Sequence, residues 1–441
     1  MSTMLPINKV VESVSITHKF DKPVLKFLNT SDVENGKIIN INHLPIDELK
    51  GQAKKTIQKH DILFSEIRPK NRRFAYVDID DTYDYVVSTK LMVLRNINPE
   101  VDNKYFYYFL TNDHMLSILQ DRAENRIGSF PQITFDLLSE YYIRVPKLAE
   151  QQKIASVLSA LDSKIELNNR INAELEAMAK TLYDYWFVQF DFPDAEGKPY
   201  KTSGGKMHWN ERLKREIPEE WQNLTLGEVV ASTGTGLNPR DNFVLGEGNN
   251  FYVTIKNIEQ GRVVLDNKCD KISDQSLEII NKRSDLRIGD ILFTSIEPVG
   301  ITYLILEKPK NWNINESVFT IRPDYERVTS EFLFMFLSGD YIKSYTKNVS
   351  AGSIHKGIRH SLLKDCQFIL PERNTVDEFT LKVQPILKKL DLIQKENQKL
   401  IELRDWLLPM LMNGQVKVKD EKETELSMAA EPATTYKKSR T

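Results

Sequence analysis

Cysteine is nearly absent: Cys269 and Cys366 are the only two in 441 residues, which excludes a disulfide scaffold and a four-cysteine zinc site. Long apolar runs are missing too. The stretch around Phe332–Leu337 is far shorter than the ~20 residues of a membrane span. The N-terminus has no basic segment leading into an apolar one, so no secretory signal is expected. Neither sign of charge dominates, with 60 Lys+Arg against 62 Asp+Glu and a net charge of -2. This excludes a uniformly basic nucleic-acid coat but allows a basic groove on a neutral body. The expectation is a soluble, cytoplasmic protein. At about 100–200 residues per domain, its length suggests two to four domains, and 41% hydrophobic residues suffice for real cores.

The common catalytic patterns are also missing. No GxxxxGK[ST] is present, which excludes a Walker-type ATPase. No Pro-Pro pair exists, so the N-P-P-[YF] box of amino-methyltransferases cannot occur. The seven histidines form no HExxH and no paired metal spacing. One pattern could mislead: Pro193-Asp194-Ala195-Glu196-Gly197-Lys198 spells PD followed by ExK. A nuclease of that kind draws its carboxylates from neighbouring strands, whereas here one alanine separates the halves within a Gly/Pro-rich stretch. A metal-dependent nuclease using Asp194, Glu196 and Lys198 therefore stands only as an alternative, and a turn-rich connector is the plainer reading. No metal site is expected in this chain.

What is present is a chain written twice. KHDILFSEIRP (59–69) matches IGDILFTSIEP (288–298). In the same order, FLNTSDVENGKI (27–38) resembles YVTIKNIEQGRV (252–263), and KYFYYFL (104–110) parallels EFLFMFL (331–337). GSFPQIT (128–134) parallels GSIHKGI (352–358), and short strands end in VP at 145–146 and in LP at 370–371. Two copies half a chain apart are a duplicated module, not a solenoid. DILF reads as a buried strand running into a loop, and the aromatic segments read as short core helices.

A long helical pattern follows each copy. The first opens after Pro146 and carries a heptad seam through Ile154, Leu158, Leu161, Ile165, Asn168, Asn172, Leu175, Ala179, Leu182 and Trp186. The second is expected to begin at Thr375, where Thr375 and Glu378 spell a capping box. It should kink at Pro385 and end at Pro409 and Gly414. Its seam reads Leu387, Leu390, Gln394, Asn397 and Ile401, so Asn397 matches Asn168. Such seam polars are tolerated defects or fix register at some cost in stability. The expected division is a first globular domain over 1–146, a helix 147–189, a linker 190–216, a second globular domain over 217–371, a helix 372–414 and a disordered tail 415–441.

Binding is the chemistry left. RPKNRR (68–73) places Arg68, Lys70, Arg72 and Arg73 at the exit of the first DILF strand, where the second copy has EPVGIT. Arg122 and Arg126 precede the first GS loop, which contributes Ser129 and Gln132. Around the second GS loop stand Lys343, Lys347, Ser353, His355, Lys356, Arg359 and His360. Basic loops are often merely solvated. A shared framework whose loops vary between copies, however, is how one module reads two DNA targets.

Taken together the sequence resembles the DNA-specificity subunits of type I restriction–modification systems. The resemblance covers nearly the whole chain. It rests on the helix opening VPKLAEQQKIASVLSALDSKIELNNRINAELEAMAKTLYDYWFVQFDFP, on GKPYKTSGGKM followed by EIPEEW and LGEV, and on the duplicated GS loop and DILF strand. It implies an α+β fold: two target-recognition domains separated by two long helices in an antiparallel coiled coil, with a pseudo-two-fold repeat. It further implies that each domain reads one half of a split, asymmetric DNA site while the helices set the gap. Two methylation subunits that use S-adenosylmethionine, and restriction subunits that use ATP and Mg2+, would be the partners. The chain itself would be non-catalytic and would not bind membranes. A coiled-coil adaptor without a DNA role is the remaining alternative. Contact residues vary within the family, so the resemblance assigns none.

Overall fold

The computed structural model describes residues 2–16, 19–49, 53–125, 131–259, 261–350 and 357–419. The chain divides into two units. One holds Met1–Ile165 and Lys399–Thr441, the other Glu166–Gln398. Each unit therefore contains one globular copy and a portion of each long helix.

In the first unit the strand Ile62–Ser65 lies between Leu91–Asn96 and Phe74–Tyr76, and Val11–Ser13 completes an antiparallel sheet of four. All four residues of Ile62–Ser65 are buried. Strand alternation sends Ile62 and Phe64 into one core cluster and Leu63 into another, which is why the run is apolar without a break. A second sheet has Val24–Leu28 parallel to Tyr85–Ser88, with Asn42–Pro45 and Ala53–Thr56 outside them. Thr3–Pro6 pairs with Tyr142–Val145, tying the start of the copy to its end.

The second unit repeats this plan. Ile291–Thr294 lies between Val318–Pro323 and Thr302–Leu304, with Val230–Thr235 outside. Ile291 and Phe293 face one core cluster and Leu292 the other. Asn250–Val253 runs parallel to Trp312–Ile314, and Gln222–Thr225 pairs with Gln367–Leu370. The aromatic segments are the helices Asn103–Thr111 and Ser330–Ser338, capped by Asp102 and Thr329 at matching places. The helix Asp274–Arg283 occurs in the second copy, at a place where the first has the short turn Ile46–Leu49.

One buried ion pair is built twice. Arg95 donates to both carboxylate oxygens of Asp61 at 2.9 and 2.7 Å, and Arg322 does the same to Asp290 at 2.7 and 2.7 Å. Each aspartate begins a DILF strand and also accepts a backbone N–H, from Gln58 and Arg287 respectively. It thereby joins its turn to the central strand of its own sheet.

The first long helix runs Leu148–Tyr183 and ends in a π-helical turn, Asp184–Val188. The second runs Arg373–Met412, starting before Thr375, so the expected capping box lies within its first turn. It continues through Pro385. That ring removes the bond to the Leu381 carbonyl, but Leu381 is 75% exposed, so water can satisfy the freed group. Pro409 also lies inside the helix. Gly414 stops it with φ +73 and donates to the Leu411 carbonyl. Within the first unit Leu158 is buried, Leu161 and Ile165 are half-buried, and Asp162 accepts from Tyr108 (2.7 Å) and Arg404 (3.0 Å). Ile401 is half-buried there.

In the second unit the helices run antiparallel: Asn168 meets Asn397, while Tyr183 lies beside Phe379. Leu387 and Leu390 are buried, Leu175 packs beside them, and Ile393 rather than Gln394 fills the next seam place. Asn168 donates to Asn397 Oδ1 (2.8 Å) and Glu396 Oε2 (2.9 Å), and Asn397 donates to Asn169 Oδ1 (2.8 Å). Equivalent residues of the two copies thus bond to each other in a buried seam.

The stretch 190–216, expected as a linker, belongs to the second unit. Phe190 and Phe192 are buried, Phe192 stacks on Tyr200 and Trp221, and Met207–Asn210 pairs with Arg215–Pro218. The aromatic residues explain this, because a free connector would expose them. Residues 415–419 of the expected tail are described, with Val416 and Val418 packed on the first core. Residues 420–441 lie outside the described residues. No helix among the described residues is long and apolar enough to cross a membrane.

Candidate nucleic-acid interface

In both copies the chain leaving the DILF strand is clasped to the segment that follows the GS loop. In the first, Ile67 bridges Gln132, Ile133 N–H donates to the Glu66 carbonyl (2.8 Å) and Arg68 N–H to the Pro131 carbonyl (3.1 Å). In the second, Ile296 bridges Gly357 and Ile358 N–H donates to the Ser295 carbonyl (2.8 Å). The exit of the DILF strand and the segment that follows the GS loop are therefore brought together at the same place on each scaffold.

The basic loop of the first copy is a short turn, Pro69–Asn71, flanked by Arg68 and Arg72 with φ of 46 and 53. Its ends hold the left-handed region that non-glycine residues rarely adopt, so the turn depends on its anchors. Pro69 is buried, and Lys70 N–H donates to Gln120 Oε1 (3.2 Å). Arg72 pairs with Asp113. Lys70 Nζ is 3.9 Å from Asp121. Arg73 donates to the Ser31 and Val33 carbonyls and lies 3.5 Å from Glu34. Arg68 is exposed and has no side-chain partner among the described residues. The loop thus carries four cations, three of them held by acids of the same unit.

Gln132 Nε2 donates to Glu66 Oε2 at 2.6 Å, and Lys90 Nζ lies 4.0 Å from the same carboxylate. Behind them Lys55 is buried and donates to the Thr89 and Leu91 carbonyls. Burial pushes the Lys55 ammonium below the ordinary lysine value, and the Glu66 carboxylate opposes that shift. Glu66, Lys90 and Lys55 had no sequence signal beyond lying near the repeat landmarks. Their convergence depends on strand pairing.

In the second unit Lys343 and Lys347 stand on one exposed face of the helix Asp340–Ser350, with Lys343 3.7 Å from Asp340. Arg359 is exposed immediately before the helix His360–Lys364. Tyr345 donates to the Leu362 carbonyl (2.6 Å), holding these two helices together. Burial, with Lys364 nearby, lowers the His360 imidazole below its ordinary value. Arg122 is paired with Glu140. Arg126, Ser129, Ser353, His355 and Lys356 lie outside the described residues.

The PD-x-ExK stretch is a turn. Asp194 accepts the backbone N–H groups of Glu196 (3.0 Å) and Lys198 (2.8 Å), so its carboxylate is engaged by the turn itself. Among the described residues no three His, Cys, Asp or Glu side chains are grouped to hold a metal.

A family model described as the type I restriction modification DNA specificity domain matches residues 10–177 and 218–404. The HindI type I restriction enzyme specificity subunit of Haemophilus influenzae is 30% identical, over 92% of this chain and 97% of its own. The MjaIX specificity subunit of Methanocaldococcus jannaschii is 26% identical, over 74% of this chain and 72% of its own. The crystal structure of the type I restriction–modification S subunit from M. genitalium matches with a TM-score of 0.56 at 17% identity, covering 93% of this chain and 96% of that one. That likeness is one of fold.

Proposed function

The chain belongs to the type I restriction–modification DNA specificity family, and from that premise we propose that each globular copy reads one half of a split, asymmetric DNA site. It is the specificity subunit, not a catalyst. The two long helices set the unread gap and dock two methylation subunits, with restriction subunits joining them. S-adenosylmethionine, ATP and Mg2+ belong to those partners. Phosphate contacts from Arg68, Lys70 and Arg72 in one copy, and from Lys343, Lys347 and Arg359 in the other, supply affinity, and base contacts supply choice.

The observation that carries this reading is the pair of clasps, Ile67–Gln132 and Ile296–Gly357. The backbone frame is the same in both copies, but the loop it presents is basic in one and Glu-Pro-Val-Gly in the other. Two equal frames with unequal loops suit two different half-sites. Methylated adenines mapped in DNA from cells carrying this chain with its methylation partner test the proposal. One split sequence with a constant gap is expected; a continuous site, or methylation without sequence preference, would refute it.

A further inference from the structure

The clasp holds one group that a phosphate-binding surface would reject. Glu66 sits two residues before Arg68, and its side chain is 17% exposed. An unneeded carboxylate there repels the DNA backbone that the neighbouring cations attract. Its geometry is nonetheless closely fixed. Its N–H donates to the Lys90 carbonyl (3.0 Å) and its carbonyl accepts from Ile133 (2.8 Å), so the backbone is held from both sides. Gln132 then fixes the carboxylate at 2.6 Å, with the Lys90 ammonium at 4.0 Å. One oxygen takes the glutamine N–H, which leaves acceptor capacity on the carboxylate.

The second copy gives the comparison. Ser295 N–H donates to the Ser317 carbonyl (2.9 Å) and Ile358 N–H to the Ser295 carbonyl (2.8 Å), which are the same two backbone bonds. The side chains differ completely: by these bonds and by the Ile67–Gln132 and Ile296–Gly357 bridges, Glu66, Lys90 and Gln132 correspond to Ser295, Ser317 and Gly357, one residue away from the sequence match of the GS segments. A tie needed to hold the frame would recur, as the Asp61–Arg95 pair recurs in Asp290–Arg322. This trio does not recur; in the second copy the Ser295 hydroxyl donates to the Ser317 carbonyl (2.8 Å) instead, so the frame does not require a carboxylate at this place.

We infer that Glu66 is a base-reading residue of the first copy, accepting a hydrogen bond from the exocyclic amine of a cytosine or adenine in the major groove, with Gln132 as its positioning residue. A carboxylate accepts from the cytosine N4 or adenine N6 amine and repels the guanine O6 and thymine O4 acceptors. The inference rests on the DNA-reading role proposed above.

The test maps methylation by the complete complex carrying Glu66→Ser or Glu66→Ser/Gln132→Gly. The double variant copies residues the second copy already accommodates on the same backbone bonds. At one base position of the half-site belonging to residues 1–146, preference for an amino base should fall roughly ten- to a hundredfold. The other half-site and the gap should stay unchanged. Methylation lowered equally at every sequence, with the half-site intact, would make Glu66 a mere tie and overturn the inference. That result differs from failure of the functional reading, in which the unaltered chain itself shows no split site.

Discussion

Replacing Asn397 by leucine strands a buried donor. In the folded chain Asn168 is 2% and Asn397 3% exposed, and the two make one hydrogen bond to each other and one each to Glu396 and Asn169. Asn397→Leu removes the acceptor of one Asn168 N–H and the donor to Asn169. Leaving a buried polar group unpaired costs about 1–3 kcal/mol. Adding Asn168→Leu removes the stranded group and places two apolar side chains in the seam, which should return stability to within about 1 kcal/mol of the original or above it. The pair should therefore show a coupling of about 1–3 kcal/mol in a double-mutant cycle. Urea unfolding of the purified single and double variants measures it. The functional counterpart is register: with the polar lock gone the seam tolerates slippage, so the double variant should methylate sites with more than one gap length. If the single variant is as stable as the original, or the double is no better than the single, the two asparagines do not act as a pair.

Arg68→Ala should lower the log–log salt slope of DNA binding by about 0.9, and Arg73→Ala by less, because Arg73 is already held by Glu34 and two carbonyls. Equal effects, read from binding titrations at several salt concentrations, would contradict the assignment. Arg95→Ala leaves the buried Asp61 carboxylate unpaired and should destabilise the first unit by about 3–5 kcal/mol, with Arg322→Ala doing the same to the second; thermal unfolding reads both. Inserting four residues after Glu176 adds about one helical turn and roughly 6 Å. At about 3.4 Å per base pair, the gap should lengthen by about one to two base pairs with both half-sites kept, as methylation mapping would show.

What was legible in the sequence was whatever repeats or has a local period. The DILF strands, the aromatic helices and, apart from the start of the second, the two long helices are where their patterns put them, because burial on both faces and heptad spacing act over a few residues. Asn168 and Asn397 were legible as a pair because the repeat register aligned them. The start of the second long helix was misread because Thr375 and Glu378 match a capping pattern that packing over Arg373–Met412 overrides. The stretch 190–216 looked like a linker from its glycine, proline and charge, while Phe190, Phe192 and Tyr200 make it core. Of the basic loop, the cations were visible but their acids were not: Asp113 and Asp121 lie on a distant helix and Glu34 on a separate strand. The Asp61–Arg95 and Asp290–Arg322 pairs left a trace, an aspartate before each ILF and an arginine in each matching strand. The convergence of Glu66, Lys90 and Gln132 left none, since three strands and a loop meet there only after folding.

The central claim is that one globular copy reads one half-site. Exchanging residues 1–146 for the equivalent domain of another member of the family, and mapping methylated adenines in cells carrying the hybrid with its methylation partner, tests it most directly. The account predicts that one half-site takes the donor's sequence while the other half-site is retained. A change in both halves, or in neither, would contradict it.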